Sequence, residues 1–427
     1  MIRLRVLFAI LAGSRIVLAQ APPLIDLPGA LERARQYANV IQSASIATQL
    51  AHEDRVQAKA GMLPAVNQFS QFIYTQSNGS DTGVFVANNG PRVWSIQGNV
   101  HEDLSLSKRY EYRRSIAAEA VARSKADISA RGLTAAVVQD YYALVAAQRR
   151  LGNASQALED AQRFLDISQK LEAGGETAHA DVVKALLQSS QRQRDVQDAQ
   201  LAIDKARIVL AVLIFPDFTQ QFSVADDLAT APALPAFTEV GNKAAAKSPE
   251  IAAARSALAQ ESAGVSIARS GYLPSLSLDY FYGLNANQLA VYDELNRKNL
   301  GSSAVVSMNL PIWTWGAQQS KVKQASLRQQ QARLDLTLTQ RQLLANLNAF
   351  YREADTANRQ IESLGQAVKL SEDSLRLTVL RYQAGEATAL EVVDAQTTLL
   401  QARNAYVDGL ARYRVALGAL QTLTGAL

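Results

Sequence analysis

The sequence predicts a mixed α and β membrane protein with a two-fold internal repeat. Long α-helices form a coiled-coil barrel, and four amphipathic strands per protomer contribute to a shared transmembrane β-barrel. Three observations carry this expectation. The chain repeats itself once, at an offset of 210 residues. Short segments alternate apolar and polar residues with period two. Two long stretches, Ser107 to about Glu172 and Gly316 to about Gln383, contain no proline.

The repeat runs nearly end to end. Gly61-Met62-Leu63-Pro64 returns as Gly271-Tyr272-Leu273-Pro274, Asn99 as Asn309, Tyr141 as Tyr351 and Arg149 as Arg359. Gly175-Glu176 returns as Gly385-Glu386, Val182-Val183 as Val392-Val393, and Leu210 and Leu213 as Leu420 and Leu423. A unit of this length is far longer than a solenoid repeat. It reads as one fold built twice, with 20–236 and 237–427 as the two structural repeats. Catalytic sites rarely need two copies of everything, whereas a wall does.

The elements follow in order. Residues 1–19 read as a cleaved signal peptide: Arg3 and Arg5 precede the apolar run Val6 to Leu11, and Val17-Leu18-Ala19 offers a cleavage site. A first helix is expected from Leu27 to Met62 and its copy from Thr238 to Tyr272. Gly61 and Gly271 stand where a helix end favours a left-handed residue, and the Leu before each proline is pushed extended. Strands come next. In Trp94 to Val100 and Ala304 to Leu310 the large apolar groups share one face, and Leu276, Leu278, Tyr280 and Tyr282 alternate with Ser277, Asp279 and Phe281. Trp94, Trp313 and Trp315 flank them, as aromatic residues do at membrane interfaces. Asp81 to Gly90 and Asn285 to Asn299 are polar and read as external loops.

The long helices would each span roughly 100 Å at 1.5 Å per residue. Val322, Ala325, Ala332, Leu336, Leu343 and Phe350 mark a coiled-coil seam. Leu327, Leu334 and Leu338 lie off it, so this helix packs on two sides. Phe215 to Phe237 carries Pro216, Pro232 and Pro235, links the halves and forms part of a belt around the helices.

The composition excludes several classes. There is no cysteine, hence no disulfide, thiolate metal site or lipidated N-terminal Cys. Net charge is +4 with both signs interspersed, so nothing points to nucleic acid. His52, His101 and His179 fall in no metal-spacing motif, no phosphate-binding loop follows a strand, and no nucleophile–base pattern is present. No cofactor, metal or catalytic residue is expected. A secreted α-helical pore-forming or coiled-coil structural protein is the competing reading; it has no use for two matching pairs of amphipathic strands.

With its paired Gly-x-Leu-Pro, Leu310-Pro311-Ile312-Trp313 leading to Gly316, Arg381-Tyr382-Gln383-Ala384-Gly385-Glu386 and Val392 to Leu399, the chain resembles the TolC-like outer membrane efflux protein family over its whole mature length. The resemblance implies a homotrimer with a 12-stranded barrel in the outer membrane and a helical tunnel through the periplasm. It implies an exit duct of tripartite efflux or type I secretion, partnered by a periplasmic adaptor (membrane fusion) protein, an inner-membrane pump and outer-membrane lipid. Four strands alone cannot close a membrane barrel, whose smallest members have about eight; multiples of four satisfy the arithmetic, and the resemblance selects three copies.

The resemblance also implies site residues. Gly175, Glu176, Gly385 and Glu386 would form the tips that close the tunnel and dock the adaptor. Asp181 matches a gate carboxylate and Tyr382 a gate tyrosine. A gate arginine known in the family is Ala387 here, and Arg381 is the nearest cation, from a different direction on the helix. Glu391 and Asp394 match acidic positions that ring the tunnel entrance. They lie three apart and share a helix face. Thr388-Ala389-Leu390-Glu391 equally reads as a capping box, so Glu391 has two readings of similar weight.

Overall fold

The computed structural model describes residues 23–75, 92–230 and 232–426. The expected signal peptide and the external segment Asp81 to Gly90 lie outside these residues.

The described elements run in two matching series. The first is β1 (Leu24–Ile25), α1 (Leu27–Tyr37), α2 (Asn39–Ala60), β2 (Ala65–Tyr74), β3 (Arg92–Leu104), α3 (Leu106–Ala173) and α4 (His179–Ile214). A connector carrying β4 (Ser223–Val224) follows. The second is α5 (Phe237–Lys247), α6 (Pro249–Ser270), β5 (Ser275–Ala286), β6 (Leu300–Asn309), α7 (Ala317–Gln383) and α8 (Ala389–Thr424). Both long helices run through their glycines. Gly132 and Gly152 have open space where a Cβ would stand, and Gly365 only an ordinary contact with Tyr406.

Two expectations are corrected. Each first helix is two helices, broken at Ala38 and at Ser248, both of which are extended. At Ser248 the cause is local: Pro249 disfavours a helical residue before it, and Ser248 Oγ accepts the Ile251 N–H at 3.2 Å to start α6. Gly61 and Gly271 are not left-handed; their φ values are −64° and −67°. Gly271 lies instead against the end of the Gln318 side chain, which a Cβ there would push away from its hydrogen bond to Ala268 O.

The sheet is antiparallel with order β2-β3-β5-β6. Its register places Val100 opposite Tyr280, Tyr280 opposite Ala304 and Leu278 opposite Val306 on one face. The other face pairs His101 with Asp279 and Ser277 with Ser307. One face therefore suits hydrocarbon and the other water. The edge strands β2 and β6, ten residues each, are paired on one side only, which leaves a row of backbone donors and acceptors along each outer edge. Beyond the sheet, Asp293 fixes the hairpin end by accepting the N–H groups of Leu295 and Arg297 at 2.9 and 2.8 Å. No helix among the described residues is long and apolar enough to cross a membrane.

Packing divides the chain into two compact units, each drawing on both halves of the sequence. One contains residues 38–135, 233–355 and 416–427, and so the sheet. Here the α7 seam is covered, with Ala332, Leu343 and Leu347 buried, while Leu327, Leu334, Leu338 and Leu344 are exposed. The other contains residues up to 37 with 136–232 and 356–415. Its core includes Tyr141, Leu144, Phe164, Leu210, Ile214 and Tyr413. The connector is laced to this core: β4 pairs in parallel with β1, the Tyr141 hydroxyl donates to Ala225 O at 2.7 Å, and Arg149 grips both oxygens of Asp226. Arg414 Nη2 reaches Asp227 Oδ2 at 2.5 Å, and the Tyr413 hydroxyl donates to Pro232 O.

Candidate functional site at the hairpin tips

Both long helices end in the same way. Gly175 and Gly385 adopt φ values of +77° and +75°. The N–H of Glu176 returns to Leu171 O, and that of Glu386 to Arg381 O, each at 2.8 Å. This six-to-one closure needs a left-handed residue, which glycine supplies without steric cost. Gly175, Glu176, Gly385 and Glu386 are all exposed.

The return helices start differently. At the second tip the capping box forms: the Glu391 N–H donates to Thr388 Oγ1 at 3.3 Å and the Thr388 N–H to Glu391 Oε1 at 3.1 Å. At the first tip the equivalent of Thr388 is Ala178, which offers no cap. Thr177, one residue earlier, donates instead to Asp181 Oδ2 at 2.8 Å. His179 Nδ1 lies 2.7 Å from Glu172 Oε1 and braces the same turn.

Tyr382 joins the two hairpins. It is 4 % exposed, its ring meets Phe164 edge-on with centroids 5.1 Å apart, and its hydroxyl donates to Ser168 Oγ at 3.2 Å. The same hydroxyl is 3.5 Å from Thr177 Oγ1. Asp181, Thr177, Tyr382 and Ser168 thus form one chain of polar contacts, set against an apolar cluster of Phe164, Ala185, Leu375, Ala389, Val392 and Leu399. Asp181 and Tyr382, expected as gate residues, are brought together, with Thr177 between them. The sequence reading did not single out Thr177, although a hydroxyl four residues before an acid at a helix start was an available signal. Ser168 gave no sequence signal, since it meets Tyr382 only through folding.

Arg381 stays within its own tip. Its guanidinium reaches Glu386 O at 2.9 Å and Glu391 Oε2 at 3.4 Å. It therefore neutralises Glu391 rather than Asp181. Ala387, at the position of the family arginine, packs partly buried against the apolar cluster. Asp394 is exposed one turn beyond Glu391 and has no ion-pair partner among the described residues. Further along α3, Asp160 has its carboxyl raised above the ordinary range by burial, an effect that Arg163 and Arg403 oppose.

The expected bystander histidines each meet a carboxylate: His52 meets Glu119, His101 meets Asp279, and His179 meets Glu172. Among the described residues, no cluster of His, Asp and Glu has the geometry to hold a metal ion.

A family model described as outer membrane efflux protein matches residues 240–426. The cobalt-zinc-cadmium resistance protein CzcC of Cupriavidus metallidurans is 25% identical over 317 residues, covering 74% of this chain and 72% of that one. The pyoverdine export outer membrane protein OpmQ of Pseudomonas aeruginosa is 25% identical over 422 residues, covering 94% of this chain and 85% of that one. Among solved structures, the outer membrane protein VceC of Vibrio cholerae superposes with a TM-score of 0.83 at 20% identity, covering 93% of this chain and 96% of that one.

Proposed function

The chain belongs to the outer membrane efflux protein family, and from that premise we propose that three copies close one barrel and one tunnel whose periplasmic mouth is gated by the hairpin tips. The protein is a channel of the outer membrane that extends into the periplasm. The observation that carries the trimer is the sheet: four strands with two unpaired edges and one apolar face. Two copies would give eight strands and an interior filled by side chains; three give about twelve and leave a pore. The exposed leucines of α7 supply a second surface for a neighbouring copy.

The mouth is built for closing rather than for chemistry. The tips are rigid Schellman turns, held by polar contacts of modest strength, about 1 kcal/mol each. Such contacts break on binding a partner, and the exposed Gly175-Glu176 and Gly385-Glu386 turns are the surface offered to a periplasmic adaptor working with an inner-membrane pump. Glu391 and Asp394 then form acidic rings at the mouth, the first partly neutralised by Arg381. Transport through the duct is passive, and no catalytic role is assigned to any residue.

The test is direct. Purified full-length protein should require detergent, run as a trimer by light scattering with the detergent contribution subtracted, and conduct ions across a planar bilayer. A monomer soluble without detergent would overturn the reading.

A further inference from the structure

We propose that the junction between the sheet and the helical wall carries a binding site for the anionic headgroup of a membrane phospholipid, formed by Arg114, Lys321 and Arg328. These three side chains line a recess of about 340 Å³ bounded by α3, α6 and α7. Glu261 is the one carboxylate in its lining, so the recess carries an excess of positive charge. All three cations are exposed and form no ion pair among the described residues. Several other basic residues of the same helices are engaged: Lys108 pairs with Asp103, Arg123 with Glu119, and Arg113 stacks on Tyr110.

The height of the recess matters as much as its charge. Gly271, in its lining, directly precedes the Leu-Pro that opens β5, and Gln318 is the second residue of α7 after β6. The recess therefore lies just below the strand ends, where the apolar face of Leu276, Leu278, Val306 and Met308 stops. A few residues before Gln318 in the chain, Ile312, Trp313 and Trp315 are 89%, 73% and 88% exposed. The two indoles meet edge-on with centroids 5.7 Å apart. Trp315 is held at φ +51°, a conformation that a bulky side chain adopts only at a cost. Exposed tryptophan partitions to the headgroup level of a bilayer, and basic residues at that level attract anionic lipid. Indoles at the headgroups with unneutralised cations below them match a lipid whose phosphate enters the recess and whose chains lie along the strands. The inference rests on the outer-membrane location, and it adds a ligand that the channel reading does not need.

The experiment uses the full-length oligomer in non-ionic detergent, incubated with phosphatidylglycerol or with zwitterionic phosphatidylcholine, and counts retained lipid by native mass spectrometry. Wild type should retain phosphatidylglycerol in preference. The triple variant Arg114→Gln, Lys321→Gln, Arg328→Gln should lose that preference by on the order of a hundredfold, from about fivefold per cation. A control triple of equal charge change, Lys184→Gln, Lys205→Gln, Lys369→Gln, should leave it intact. Trp313→Ala should weaken retention of both lipids. Equal retention by wild type and the first triple overturns the proposal, as does a wild type that does not distinguish the two lipids. Displacement by an equal concentration of free glycerol phosphate overturns it too, since it marks a site for soluble anions. No retention by the wild-type oligomer, as when a neighbouring copy covers the recess, likewise overturns it. Should the triple fail to assemble, Lys321→Gln alone is read against an expected loss of about fivefold.

Discussion

The hydroxyl of Tyr382 lies 3.2 Å from Ser168 Oγ and so ties the end of the second long helix to the last turns of the first. Contact with Thr177 Oγ1 at 3.5 Å extends the tie to the turn before the return helix, and through Thr177 to Asp181 in its first turn. Among the described residues, the tie consists of these hydrogen bonds and the packing of one ring on Phe164.

Tyr382→Phe keeps the ring and removes the hydrogen bonds. Losing about 1 kcal/mol should raise the open population roughly fivefold. Single-channel recordings in planar bilayers would show longer or more frequent openings, and adding Thr177→Ala should increase them further. Unchanged gating in the double variant would remove this chain of contacts from the mechanism.

Glu391 and Asp394 make opposite demands on a mutational test. Asp394 is unpaired, so Asp394→Ala should lower cation selectivity and block by multivalent cations without harming assembly. Glu391 caps α8 and faces Arg381. Glu391→Gln keeps some capping ability and should lower selectivity less than Asp394→Ala. Reversal potentials measured across a salt gradient check the order. A double variant that assembles and keeps full selectivity would exclude both residues.

Glu119 is buried beneath three basic partners: His52 at 3.2 Å, Arg55 at 2.5 Å and Arg123 at 2.6 Å. Burial alone would raise its pKa, but the hydrogen bonds from His52 and Arg123 and the charges of Arg55 and Arg123 outweigh it, so the carboxyl lies below its ordinary 4.5. A lowered carboxyl pKa contributes stability that is present above the unfolded value and is lost as pH falls through the folded one. Glu119→Gln should therefore destabilise the protein near neutral pH, and the gap to wild type should close as the pH falls below the ordinary glutamate value and through the lowered one. Thermal melts at pH 7 and at successively lower pH would measure it; a gap independent of pH would contradict the assignment.

Proline within the α7 seam should be far more damaging than insertion into the external hairpin. Leu343 is 7 % exposed in mid-helix, and an interior proline costs about 3 kcal/mol or more. Leu343→Pro should abolish the oligomer on a native gel, whereas two residues inserted after Gln288, in the loop beyond β5, should leave it in place.

The repeat-equivalent glycines should respond differently to alanine. Gly61→Ala meets no atom closer than 3.5 Å and should be neutral. Gly271→Ala pushes aside the end of the Gln318 side chain and with it the hydrogen bond to Ala268 O, and should cost about 1 kcal/mol in thermal melts. Gly385→Ala, at φ +75°, should cost about 1–2 kcal/mol, and no neighbouring change should restore it.

Most of the fold was legible because its signals are local. Alternation over β3, β5 and β6 reports two media on two faces, and the absence of proline reports uninterrupted helix. The Thr388–Glu391 cap was readable for the same reason, since every partner lies within one turn. What was misread was local too, but decided by neighbours. Gly271 looked like a left-handed helix end and is a point of close approach to Gln318, 47 positions away in the chain. The breaks at Ala38 and Ser248 were missed because the apolar pattern continues across them; at Ser248, the following proline was the available clue.

By itself the sequence determined a protein of two equivalent halves, strands that need hydrocarbon on one side, and hairpin tips that begin with glycine, because periodicity and backbone preference are properties of short segments. Only tertiary structure decided that Tyr382 turns inward to Ser168 and Thr177, that Arg381 serves Glu391 rather than Asp181, and that Arg114, Lys321 and Arg328 converge below the strand ends. The first and the last depend on which helix faces which, and that is settled by packing between segments some two hundred residues apart. The Arg381–Glu391 contact spans only ten residues, but it needs the tip to fold back before the two side chains meet.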